Sequence, residues 1–302
     1  MRWFLTRLLA GVAAIAVVLA GVGVLLAAQY SGTPAAWAVS QGNDAVWVDS
    51  AEDAGDLRAL LDTGSVDTVY LLAGRIGEDG GVTAAEDLRP LLEGYPDVRA
   101  LAWLRHTAEG SSLLNDRFDR RAREALAPAA AEAARGYAGV HLEVRPVTVN
   151  DPSLPTLVEM VRGELEEDAV LSVQAHHVEL APGGRIPSFV VNGEEKYWSK
   201  GYLARVAEHA DEVVLPGTDP GMPAAALQGG FTVRQVAESV AALRTRDEAV
   251  IRFGVPAGEQ AETALAAVRI GVTDAQAPEH VRLGVSLSDP ADLRAYTEGW
   301  LG

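Results

Sequence analysis

The stretch from Ala138 to Pro146, A-G-V-H-L-E-V-R-P, alternates apolar side chains with His141, Glu143 and Arg145. A strand has a period of two, so these three ionisable groups share one face. A buried charge without a partner is costly, so that face is either solvated or lines a polar cavity in which the groups satisfy one another. An arginine fork beside a carboxylate makes a charge-assisted network, and the same fork binds acidic ligands in bidentate fashion.

Other candidates fall at similar places in the chain. Asp49, Arg75, Arg105 with His106, Gln174 with His176 and His177, Thr218 with Asp219, and residues 286–289 each follow an apolar segment. Asp289 precedes Pro290, which suits a helix N-cap better than a catalyst. His176 and His177 are adjacent and point to opposite sides of an extended chain, and no H-x-H or H-E-x-x-H spacing occurs, so no metal site is expected. The serines lack a G-x-S-x-G elbow, which argues against an α/β-hydrolase triad. Tyr197 and Trp198 have the chemistry to stack on a sugar ring or to pin a loop.

The elements that must position these residues alternate regularly. Strands are predicted over 45–48, 66–73, 99–104, 140–144, 169–175, 212–215, 249–255 and 281–285. Helices are predicted over 53–61, 84–92, 115–134, 154–165, 200–210, 233–244, 259–268 and 291–300. Eight strand-then-helix units in about 255 residues match a (β/α)₈ TIM-like barrel, an α/β fold whose active face lies at the carboxyl ends of the strands. A doubly wound sheet is the runner-up. No G-x-G-x-x-G follows the first strand and no G-x-x-x-x-G-K is present, so nucleotide-binding versions of it lose support, and no cofactor is expected.

The N-terminus changes the setting. Arg2 and Arg7 precede an apolar run over 8–28, and no charge recurs until Asp44. About twenty residues at a rise of about 1.5 Å span a hydrocarbon core of about 30 Å. Residues 1–30 therefore read as a cytoplasmic tip and transmembrane signal-anchor, 31–43 as a linker, and 44–302 as an extracytoplasmic barrel, with the basic flank inside. The small-x-small triplet Ala36-Trp37-Ala38 leaves secretion as the alternative. The net charge of −17 includes +2 from the leader arginines, leaving −19 on residues 44–302. Such a domain repels phosphate backbones, so nucleic acid is not an expected partner. With no cysteine, neither disulfides nor a lipoprotein anchor are available.

The order of motifs over about 137–223 resembles the chitinase-like family-eighteen glycoside hydrolases. The family's D-G-x-D-x-D-x-E motif overlies residues 138–145. Gly139 matches, Glu143 keeps a carboxylate, and Arg145 stands where the general-acid glutamate belongs. Arginine stays protonated and cannot deliver that proton. The family's M-x-Y-D overlies 215–219, keeping Asp219 and losing the tyrosine. Strand eight also lacks the tryptophan of the family's sugar platform. The resemblance thus implies a membrane-anchored barrel whose cleft binds a cell-envelope glycan, or serves as a scaffold, without the standard acid. Its ligand-binding candidates are His141, Arg145, Gln174, His176, Trp198 and Arg105. Arg75, Arg105 and Arg145 are expected to make a positive rim. The alternative is hydrolysis by Glu143 and Asp219 as a repurposed carboxylate pair. A third possibility is an inert domain that presents surfaces to a protein partner.

Overall fold

The computed structural model describes residues 2–107, 119–145, 151–179, 197–217, 222, 224–245, 250–276 and 281–302. The barrel strands are β1 (Asp44–Val48), β2 (Val66–Ile76), β4 (Arg99–Thr107), β5 (Gly139–Arg145), β6 (Val170–Gln174), β9 (Glu212–Leu215), β10 (Val250–Val255) and β11 (Arg282–Leu287). All pair in parallel around the ring β1-β2-β4-β5-β6-β9-β10-β11, and β11 returns to β1, so the sheet closes on itself. Both faces of each strand are covered, which explains why they read as near-continuous apolar runs.

The helices α1 (Arg2–Tyr30), α2 (Ala54–Leu61), α3 (Arg120–Ala133), α4 (Ser153–Glu164), α5 (Lys200–Val206), α6 (Ala225–Leu243), α7 (Ala261–Ala275) and α8 (Leu293–Tyr296) follow, the last running into a π turn over Thr297–Leu301. One expected helix is absent. Instead of a helix over 84–92, β2 runs on to Ile76 and pairs antiparallel with β3 (Val82–Ala84), and only a short 3₁₀ turn, Arg89–Leu92, follows. Pro90, which lacks an N–H, sits in the first turn, and among Leu88, Leu91 and Leu92 only Leu88 is fully buried, so little drives that segment to extend. A two-residue parallel ladder joins β7 (His177–Val178) to β8 (Tyr197–Trp198) beside the barrel.

The main core lies between strands and helices, with Leu57, Leu126, Val158, Leu203, Val240 and Leu265 among its buried members. A second, smaller core fills the barrel lumen with Ala45, Trp47, Tyr70, Leu72, Leu101, Trp103 and Val214. The floor of the lumen is ionic. The guanidinium of Arg252 is fully buried, with Nη1 2.5 Å from Glu212 Oε2 and Nη2 2.9 Å from Asp67 Oδ1. Its Nε donates to the Asn43 carbonyl at 2.8 Å, and Nη1 also donates to the Tyr70 hydroxyl at 3.0 Å. Arg99 bridges the same two acids at 2.9 and 3.2 Å. Burial opposes the charge on Arg252, but Tyr70, Glu212 and Asp67 outweigh it and raise its pKa. Burial likewise pushes the Tyr70 hydroxyl up to about 12.

Segment 31–43, expected as a linker, is hydrogen-bonded to the barrel. Ala35 N donates to Thr273 Oγ1 at 2.9 Å, Arg269 Nε to the Ala38 carbonyl at 2.8 Å, and Ser40 N to the Trp300 carbonyl at 3.0 Å. It ends at Asp44, a buried carboxylate that accepts from Ser40 Oγ, Val285 N, Tyr296 Oη and Trp300 Nε1. Desolvation holds its pKa above the ordinary value of 3.8 despite those four donors.

Candidate functional site

The carboxyl ends of the strands open into a cleft of about 230 Å³ lined by Trp47, Asp49, Trp103, Arg105, Glu143, Gln174, Gly217 and Ser288. The register explains the convergence. On β4 and β5, Trp103 pairs with His141 and Arg105 with Glu143, so the inward residues of the two strands stack in successive layers. Gly139 starts that face at φ +153°, where an added Cβ would come within 2.0 Å of the Val170 carbonyl oxygen. Its glycine is therefore required by the β5–β6 approach alone, whatever the cleft does.

Glu143 is the central acid. It is 5% exposed and accepts a hydrogen bond from Trp103 Nε1 at 2.9 Å through Oε2, with Arg105 Nε 3.7 Å from the same oxygen. The Arg105 guanidinium also lies 5.6 Å from the centroid of the Trp103 ring. The indole hydrogen bond and the nearby guanidinium orient the carboxylate toward the cleft.

His141 lies one layer deeper, fully buried, and does not line the cleft. It stacks on Tyr70 with centroids 4.1 Å apart and accepts from Trp47 Nε1 at 3.3 Å. An indole N–H only donates, so His141 Nε2 is the acceptor; Nδ1 then carries the proton toward Ser172 Oγ at 2.8 Å. Its role here is to orient Trp47 from beneath.

The other expected residues divide. Arg105, Gln174 and Glu143 meet in the cleft, and Asp49 and Ser288 join them. His176 and Trp198 do not. Trp198 is fully buried in the main core, edge-on to Tyr202 at 5.0 Å and stacked with His176 at 5.1 Å, so it pins the β8 segment onto the barrel. The apolar face that a sugar would use is already spent on packing. Arg145 pairs through its backbone with Thr107 at the end of β5, and its side chain lies outside the described residues, as do Thr218 and Asp219. Arg75 is exposed on the β2 extension and away from the cleft lining, so among the described residues only Arg105 of the expected arginine rim reaches the cleft. Asp289 is a cap, accepting from Ala291 N at 2.8 Å. The two lining tryptophans were not anticipated. Their signal was the same period of two: Trp103 alternates with Arg105, and Trp47 lies two residues before Asp49. Among the described residues no group of His, Cys, Asp and Glu is placed to hold a metal ion.

No protein-family model matches this sequence, and no curated protein matches it. Solved structures do. The spore cortex-lytic enzyme SleL of Bacillus cereus superposes with a TM-score of 0.62 at 10% identity, over 85% of this chain and 74% of that one. SleL of Bacillus megaterium QM B1551 gives 0.60 at 11% identity, over 86% and 74%. A xylanase-alpha-amylase inhibitor protein, XAIP-I, solved with trehalose, gives 0.51 at 16% identity, over 85% and 99%. Chitinases are among the further matches. The chain is thus a (β/α)₈ barrel, the fold that the sequence resemblance implied, and it superposes on cortex-lytic enzymes of that fold. At these identities the likeness establishes the fold and leaves the chemistry to the cleft.

Proposed function

We propose that this protein is a membrane-anchored, extracytoplasmic barrel that binds a cell-envelope glycan in its strand-end cleft without hydrolysing it. The observation that carries this reading is the state of Glu143: the one carboxylate retained on the β5 motif is buried and held by the Trp103 indole and Arg105, while Arg145 occupies the position of the acid. A carboxylate oriented in this way is suited to accept sugar hydroxyls, and an arginine at the acid's motif position cannot deliver a proton to a leaving oxygen. Gln174, Asp49 and Ser288 supply further hydroxyl partners, and a cleft of about 230 Å³ is smaller than the about 300 Å³ at which drug-sized pockets begin, a size for one ring or a chain end. The apolar helix α1, whose mean hydropathy reaches 2.7 over residues Arg7–Tyr30, supports the anchor. A neighbour solved with a disaccharide is compatible with binding on this barrel type.

A second reading, hydrolysis, has one observation in its favour: two carboxylates, Asp49 and Glu143, line the same cleft, which is the number that glycoside hydrolysis uses. Asp219, the second acid of the expected pair, lies outside the described residues. The test is a glycan array and a reducing-end assay on the full chain, run on wild type, Glu143→Gln and Arg145→Glu. The binding reading expects retention of glycan by the wild type, its loss in Glu143→Gln, and any turnover only in Arg145→Glu. Turnover by the wild type that disappears in Glu143→Gln would establish the enzyme instead, and no retention by any form would favour a protein-scaffold role.

A further inference from the structure

Helix α1 does not leave the barrel at an arbitrary angle. Its second half lies directly on α6, backbone to backbone: an added Cβ at Gly230 would come within 1.9 Å of the Leu26 carbonyl oxygen, and one at Gly229 within 2.3 Å of the Tyr30 ring. Leu26 is 8% exposed there, and Tyr30 packs against Val233, Ala267 and Ile270. Farther up, Gly23 faces Leu227. Rising numbers on α1 meet rising numbers on α6, so the two helices run parallel.

That direction decides which face of the barrel meets the membrane. In a (β/α)₈ barrel each helix starts at the face where the strands end, so the first turn of α6 stands beside the cleft mouth. Leu26 meets α6 five residues in, about 7.5 Å below its tip. Residues 2–20 therefore project about 28 Å beyond the mouth, close to the thickness of a hydrocarbon core of about 30 Å. With the start of α1 at the far interface and the long Arg7 side chain reaching back toward it, a span of about 30 Å ends near residue 22, level with the tip of α6, which places that tip at the edge of the adjacent head-group layer. The composition of that tip suits the placement: the sequence carries no charged residue from 220 to 233, and Ala224, Ala225 and Ala226 are exposed. Across the ring, beside β1, the mouth carries Asp49, Glu52, Asp53 and Asp56; burial first, then repulsion from Asp289, Asp49, Asp56 and Glu52, raises the pKa of Asp53. Anionic lipids repel that edge, which holds the cleft open above the head groups instead of sealing it.

We infer that the cleft mouth faces the bilayer that holds α1, with the tip of α6 at the edge of the head-group layer, so that the ligand is a hydroxyl-rich group displayed at the membrane surface rather than a distant polymer. This rests on the membrane-anchor part of the proposed function. The chain has no cysteine, so single labels are unambiguous. Full chains carrying Ala225→Cys at the α6 tip, or Glu166→Cys in the exposed connection before β6 at the opposite end, would be labelled with an environment-sensitive fluorophore. Each would be reconstituted into phosphatidylcholine–phosphatidylglycerol vesicles containing head-group nitroxide lipid. The expected result is flotation of both proteins with the vesicles, loss of most fluorescence at 225 and retention at 166. Flotation with equal signals at both sites, or with the loss at 166, overturns the orientation while leaving the anchor intact. Failure to float overturns both.

Discussion

Arg252 and Asp44 are buried ionisable groups, each held by several partners. Arg252 is the only counter-charge in direct contact with Glu212 Oε2 among the described residues, and Glu212 is itself 1% exposed. Arg252→Met is expected to lower stability by about 3 kcal/mol, because it leaves the buried Glu212 with only the partly exposed Arg99 on its other oxygen, and adding Glu212→Gln should restore part of the loss. Denaturant unfolding of both variants checks this. Asp44 gives a pH signature. Its folded pKa is raised by burial, so its contribution is fully present below the unfolded value of 3.8 and is lost as pH rises through the higher folded value. The thermal midpoint of wild type relative to Asp44→Asn should therefore rise as pH falls from 7 toward 4; a constant difference would show that Asp44 keeps its charge throughout. Neither residue was singled out in the sequence, although Arg252 had the same mark as Glu143. It is a lone charge at an inward position of an otherwise apolar strand, V-I-R-F-G-V.

The eight strands were legible as elements because burial on both faces makes each an uninterrupted apolar run between helical segments. The segment 84–92 misled because a helix-like spacing of leucines carries no information about whether a groove exists to receive them. The departure of β2 into a hairpin with β3 depends on the turn over residues 77–81, where Gly77 N donates to the Gly81 carbonyl at 2.8 Å. Cleft residues on β4 and β5 followed from the period of two once the register was given; Trp198 failed the same test because β8 lies outside the barrel sheet. At the level of elements the contact most open to test is α1 on α6. Gly230→Leu should force the two helices apart, leaving barrel circular dichroism and vesicle flotation unchanged while restoring fluorescence to a label at position 225. Persistent quenching would mean that the mouth is held to the membrane by something other than this helix pair.

At the scale of the molecule, an acidic barrel is closed below by an ionic floor and opens above into a small polar cleft beside an apolar helix. The likeness to the cortex-lytic barrels concerns that frame. The proposal of glycan binding without turnover rests on the donors that hold Glu143 and on the resemblance that sets Arg145 at the motif position of the family's acid. The most direct measurement is a titration of full-length wild type with chitooligosaccharides, following bound ligand by calorimetry and released reducing ends in the same samples. Saturable binding is expected, with no product above the buffer control over many hours. Steady product release that is abolished by Glu143→Gln would contradict it.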